Sequence, residues 1–255
     1  MKIAVVYFTY GADAELLGLS MHAMEALKAH DEVEVFVFDD ANAPLEVVPE
    51  GCTYEQTHFD RKGNLNGIEC IDGMLALYES VLERTGADWV VKLDCDTYVN
   101  NLSFLRGVNV EHVAQVGTNH CHDFCSGACY ALSLAGVRAI KARLSEELMR
   151  QRAAIAWCED RVIGRVAETT GLRVVKLGSI YNVVRAGLLY HDWMNNVELS
   201  MEELQEAAAV DFKRCRWNSV PDDYEKDRAK GTARMRAYVE FLQKGKEIED
   251  NEQQN

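Results

Sequence analysis

The chain has 255 residues, 48% hydrophobic and 27% charged, enough for one large domain with a sizeable core and appendages. A formal net charge of -14 excludes a general nucleic-acid or anionic-membrane binder, because phosphate contact needs clustered Lys and Arg. The apolar run from Ile3 to Phe8 is too short for the h-region of a signal peptide, so none is expected, and no apolar run approaches membrane-spanning length. A cytoplasmic protein without an integral membrane segment is expected, its eight cysteines reduced.

Ile3 to Phe8 reads as a central strand and Ala14 to His30 as a helix with an apolar stripe. Val33 to Phe38 is a second strand, so the chain opens as βαβ with a right-handed crossover and parallel pairing. Asp39 and Asp40 end that strand, where a carboxylate can accept from a ribose or a base; a turn or helix cap accounts for them equally well. The irregular stretch from Thr57 to Gly67 could place Arg61, Lys62 and backbone N–H groups against a diphosphate, although it is neither a Walker loop nor a G-x-G-x-x-G fingerprint. Ile68 to Arg84 follows as a helix.

Next comes the stretch that organises the chain. Trp89 to Leu93 is a buried strand that delivers Asp94 and Asp96, one residue apart, at its carboxyl end. Ligands collect at that end of open α/β sheets, and two acids so close repel unless a cation or a shared proton offsets the charge. A divalent metal held through oxygen is the simplest remedy; the alternative is a pair of acids capping the turn.

Leu102 to Leu105 reads as a short helical turn, Glu111 to Val116 as a strand, and Cys125-Ser126-Gly127-Ala128 as a small-residue turn into a packed strand or a close approach to a ligand. Cys121, Cys125 and Cys129 lack the paired spacing of a zinc site and read as buried thiols. Gly136 to Met149 is a helix. Glu159-Asp160 opens another, and an acid at a helix N-terminus is either an ordinary cap or an anion poised as a base. Leu172 to Leu177 is a late strand leading toward Tyr190-His191-Asp192. Ser200 to Glu203 is a capping box opening a helix to about Arg214, and Asp222 to Gln243 is a further helix. The expected division is residues 1–198 as an α/β domain, 199–243 as a helical extension and 244–255 as a frayed tail.

Taken in order, four of these segments resemble the fringe and β-1,3-galactosyltransferase family of A-type (GT-A) glycosyltransferases, between about Asp88 and Trp193. They are Lys92 to Asn100, Cys125-Ser126-Gly127 running to Leu132-Ser133, Glu159-Asp160 with Gly164, and His191. Cys95 replaces the family's middle acid and Ala128 its second glycine. The resemblance implies a GT-A-like open, mostly parallel sheet flanked by helices. It further implies Mn²⁺ or Mg²⁺ held by Asp96 and His191, with Asp94 completing the metal shell or touching the ribose. Asp160 becomes the base of an inverting sugar transfer from a nucleotide sugar, a UDP-sugar, to an acceptor hydroxyl, with Asp39, Arg61 and Asn64 as nucleotide contacts.

Two other readings compete. Asp94-Cys95-Asp96-Thr97 also resembles a haloacid-dehalogenase-type phosphatase with Asp94 as nucleophile, but that motif belongs on the first strand of its domain. A non-catalytic nucleotide-sugar-binding protein would keep the fold without the chemistry.

Overall fold

A computed structural model describes residues 1–58, 68–120, 124–150, 159–179, 189–191, 199–213 and 221–253. The chain runs β1 (Lys2–Thr9), α1 (Ala14–Lys28), β2 (Glu32–Asp40), β3 (Thr53–Thr57), α2 (Ile68–Thr85), β4 (Trp89–Leu93), β5 (Thr97–Val99), β6 (Val113–His120) and β7 (Phe124–Leu132). It continues α3 (Leu134–Arg150), α4 (Glu159–Thr169), β8 (Arg173–Ser179), β9 (Leu189–His191), α5 (Met201–Leu204), β10 (Ala209–Asp211) and α6 (Pro221–Gln253).

Seven strands form one sheet in the order β3-β2-β1-β4-β7-β6-β8. Every pairing is parallel except those of β7, which runs antiparallel to β4 and β6. The expected mostly parallel α/β sheet is therefore the one present. Its central strands are apolar throughout because both faces are covered. Along β1, Ile3, Val5 and Tyr7 enter one core with α1 and α6, while Ala4, Val6 and Phe8 enter the other with α2, α3 and α4.

A second, three-stranded sheet, β5-β10-β9, sits beyond the carboxyl end of β4. The helix expected from Ser200 to about Arg214 is a single turn here, and this is a correction. Ser200 does form the capping box with Glu203, but the chain leaves the helix because its backbone is used elsewhere. Asn100 Nδ2 donates to the carbonyls of Leu204 (3.0 Å) and Ala207 (2.8 Å), and Ala208 O accepts from the Asn100 and Asn101 amides. Ala209–Asp211 then pairs with β5. Leu204, Ala207, Phe212, Met235, Tyr238 and Val239 share one core with β1 and α1, so residues 199–213 and α6 are built into the α/β unit. Lys244–Gln253 continues α6 as helix. Among the described residues no helix is long and apolar enough to cross a membrane.

Candidate active site

The turn from β4 to β5 is held on both sides. Asp94 N–H donates to Ala128 O on β7 (3.0 Å), Thr97 N–H to Asp94 O (3.0 Å), and Phe212 N–H, just after β10, to Asp96 O (2.9 Å). Asp94 and Asp96 are partly exposed, whereas Cys95 between them is 2% exposed, its thiol 3.7 Å from Phe8 O. The side chain between the two aspartates thus lies inside the protein, where a carboxylate would be costly.

Around Asp96 negative charge is dense. Burial, followed by the nearby Asp211 carboxylate, pushes the Asp96 carboxyl up to about 7; Lys213 opposes the shift, and Asp94 and Asp13 add to it. Asp211, 1% exposed, accepts from Lys213 N–H at 2.8 Å. It stands opposite Thr97 on one side and opposite His191 on the other, so β10 lies between the His191 strand and the strand that follows the Asp96 turn. The His191 side chain lies outside the described residues. Among the described residues no three His, Cys, Asp or Glu side chains converge as a ready metal cage. Crowded, partly exposed carboxylate oxygens are nevertheless the donors that suit Mg²⁺ or Mn²⁺.

Asp160 comes to the same region on the first turn of α4. Its Oδ2 accepts from Gly127 N–H (2.9 Å) and its Oδ1 from Arg161 N–H (2.7 Å), so two backbone donors orient the carboxyl group. Two glycines make that approach possible. A Cβ at Gly127 would stand 2.9 Å from Asp160 Oδ2, and one at Gly164 would stand 2.5 Å from Phe124 Cβ. Gly164 is one helical turn after Asp160 and on the same face, so α4 docks on β7 at two points. The Ala128 side chain, next along β7, enters the core.

Lys92 links the two halves. It is 3% exposed, and its ammonium donates to Asp94 Oδ1 and to Gly127 O, both at 2.5 Å, with Glu159 Oε2 3.9 Å away. The sequence signals Lys92 only as a lone cation inside an apolar strand, which does not reveal its partners. Asp211 was hidden because its segment read as helix.

The remaining expected residues fall as follows. Asp39 is fully buried at the end of β2; its Oδ2 accepts from Leu45 N–H (2.7 Å) and from Tyr54 O–H (2.6 Å). Its Oδ1 has no partner among the described residues. Asp40 accepts from the Asn42 backbone and side chain. Arg61, Asn64 and Cys121 lie outside the described residues. Cys125 and Cys129 are free thiols that enter opposite cores, and burial pushes each up to about 12, so they do not share a site.

The whole arrangement resembles two crystal structures of the galactosyltransferase LgtC. One, in complex with donor and acceptor sugar analogs, superposes with a TM-score of 0.55 at 12% identity, covering 92% of this chain and 95% of that one. The other, of an active-site mutant, gives 0.52 at 11% identity over 88% and 99%. The chain has the A-type glycosyltransferase fold. At that identity the likeness carries the A-type fold and not the fringe family in particular. No protein-family model matches the chain, and a search of curated proteins finds no match. Within the A-type fold, Asp94 and Asp96 stand at the carboxyl end of β4, and Asp160 meets the neighbouring strand β7 at Gly127.

Proposed function

We propose that the protein is a metal-dependent, inverting glycosyltransferase that moves a sugar from a nucleotide sugar, in this reading a UDP-sugar, to an acceptor hydroxyl. The observation that supports it is the meeting of the Asp94–Asp96 turn and Asp160 through Gly127 and Lys92 at the carboxyl end of an A-type sheet. Asp96 and His191, with Asp94, would hold Mn²⁺ or Mg²⁺. When bound, such an ion offsets the charge that develops on the leaving diphosphate.

The chain's own residues divide the remaining work. Asp160, its carboxyl group oriented by two backbone N–H groups, takes the proton of the acceptor hydroxyl. The freed oxygen forms its bond to the anomeric carbon as the bond from that carbon to the diphosphate oxygen breaks, and the nucleoside diphosphate departs. Attack opposite the leaving group inverts the anomeric centre. Asp39, Arg61 and Asn64 remain the proposed nucleotide contacts.

The test is Asp160→Asn. Transfer should fall by at least about 100-fold, the scale of general base catalysis, while Mn²⁺-dependent UDP binding by calorimetry stays within about twofold. Turnover retained in that variant removes Asp160 as the base. A wild-type protein whose melting temperature no nucleotide sugar raises, with or without Mn²⁺, sinks the transferase reading as a whole.

A further inference from the structure

We infer that Lys92 and Glu159 form a buried positioning pair that fixes Asp94, on the donor side, relative to Asp160, on the acceptor side. The catalytic consequence of that pairing rests on the transferase reading above; the positioning itself does not. Lys92 is 3% exposed and Glu159 7%, and charges so deeply placed persist only when paired and hydrogen-bonded.

The contacts form a circuit. Lys92 Nζ donates to Asp94 Oδ1 and to Gly127 O, and lies 3.9 Å from Glu159 Oε2 and 5.9 Å from the centre of the Tyr130 ring. Glu159 is held in turn by the Tyr130 hydroxyl, which donates to Oε1 and stands 3.1 Å from the Tyr78 hydroxyl. Gly127 is gripped at both ends, its C=O by Lys92 and its N–H by Asp160. Because Glu159 and Asp160 are adjacent on the first turn of α4, the circuit closes through the helix backbone.

A displaced ammonium would release the Asp94 carboxylate and the Gly127 carbonyl together. The pair does not have to be kept for stability, since a buried ion pair replaced on both sides by neutral groups of similar volume is often neutral or better. Its placement at the junction of the two halves is what distinguishes it.

The double variant Lys92→Met/Glu159→Gln separates the roles, because it removes both charges of the pair and keeps an acceptor for Tyr130, and the one carboxylate it deprives of the ammonium, Asp94, is part-exposed. The expected result is a folded protein with a melting temperature close to wild type. Its kcat should be lower by about 10–100-fold, the cost of losing a supporting partner, with donor KM changed less than threefold. A crystal structure of it should show the Asp94 carboxylate or the Gly127 carbonyl displaced. Wild-type kcat in the folded double variant overturns the inference, as do coordinates with Asp94, Gly127 and Asp160 in place. Glu159→Gln alone, which leaves Lys92 on Asp94, serves if the double variant does not fold; it should lose kcat while keeping Mn²⁺-dependent UDP binding, and undiminished kcat overturns the inference. If the wild type transfers no sugar at all, the transferase reading fails while the variant's coordinates still decide the positioning.

Discussion

At Gly127 the need for a missing side chain is steric, not conformational. A methyl there would lie 2.9 Å from Asp160 Oδ2, 3.1 Å from its Cβ and 3.2 Å from its Cγ, so Gly127→Ala must push the carboxylate, or the start of α4, away from β7. Shifts of about 1 Å at a reacting group cost on the order of 100-fold in rate, and overpacking costs about 1–3 kcal/mol. The expected outcome is a kcat lower by that order with a modest loss in urea stability, whereas an unchanged kcat would show that Asp160 need not sit where Gly127 admits it. At this scale the sequence exposed the candidate residues but not their geometry. Asp94, Asp96 and Asp160 were legible because each is an acid at the end of a strand or the start of a helix. The inward turn of Cys95 and the fit of Asp160 over Gly127 depend on contacts between distant segments, which no local spacing encodes.

The elements that sequence pattern revealed are those whose burial is regular. β1, β2 and β4 carry apolar runs because both sheet faces are covered, and α1 and α2 show stripes because one face is. β3, β5 and β10 are three to five residues long and too short for periodicity to speak, and the helical propensity after the Ser200 capping box lost to pairing with β5. The junction of α4 and β4 also gives a pH dependence. Burial pushes the Glu159 carboxyl up to about 7; Lys92 and its bond from Tyr130 oppose this, and Asp160 and Asp94 add to it. Between its ordinary value near 4.5 and about 7 the native protein keeps a proton that the unfolded chain has released. Stability from this group is therefore full below the ordinary value and lost as pH rises through 7, by at most about 1.4 kcal/mol per pH unit. Asp96 adds a loss of the same sign. Urea stability of the metal-free protein should fall between pH 5 and pH 8, and Glu159→Gln should fall less steeply. A slope in that variant equal to wild type would mean that Glu159 does not titrate in this window.

Across the whole molecule, α6 closes the A-type sheet's apolar face and reaches back to the loops that frame the candidate site. Arg228 donates to Tyr10 Oη (3.0 Å), Ala12 O (2.5 Å) and Asp13 Oδ1 (2.6 Å), just beyond β1. Tyr238 donates to Asn100 Oδ1 (2.8 Å), the same asparagine that ties β5 to the segment around Ala207. Met235, Tyr238 and Val239 are buried in the core shared with β1, whereas side chains from Gln243 to Ile248 are exposed. Stability should therefore divide sharply along this one helix. A chain ended after Lys244 loses the exposed side chains up to Ile248 with the residues that follow, and should melt within about 2 °C of the full chain, since surface changes stay near 0.5 kcal/mol. Tyr238→Phe removes one hydrogen bond and leaves the Asn100 acceptor unmet, which costs about 1 kcal/mol and about 2–4 °C. A chain ended before Pro221 strips the cover from Tyr98, which meets Tyr238 edge to face, and from Phe212, tilted against it, and should fail to give a cooperative melt. Calorimetry on the three proteins checks the order, and a cooperative melt without α6 would show that the helix is an appendage and not a wall of the core.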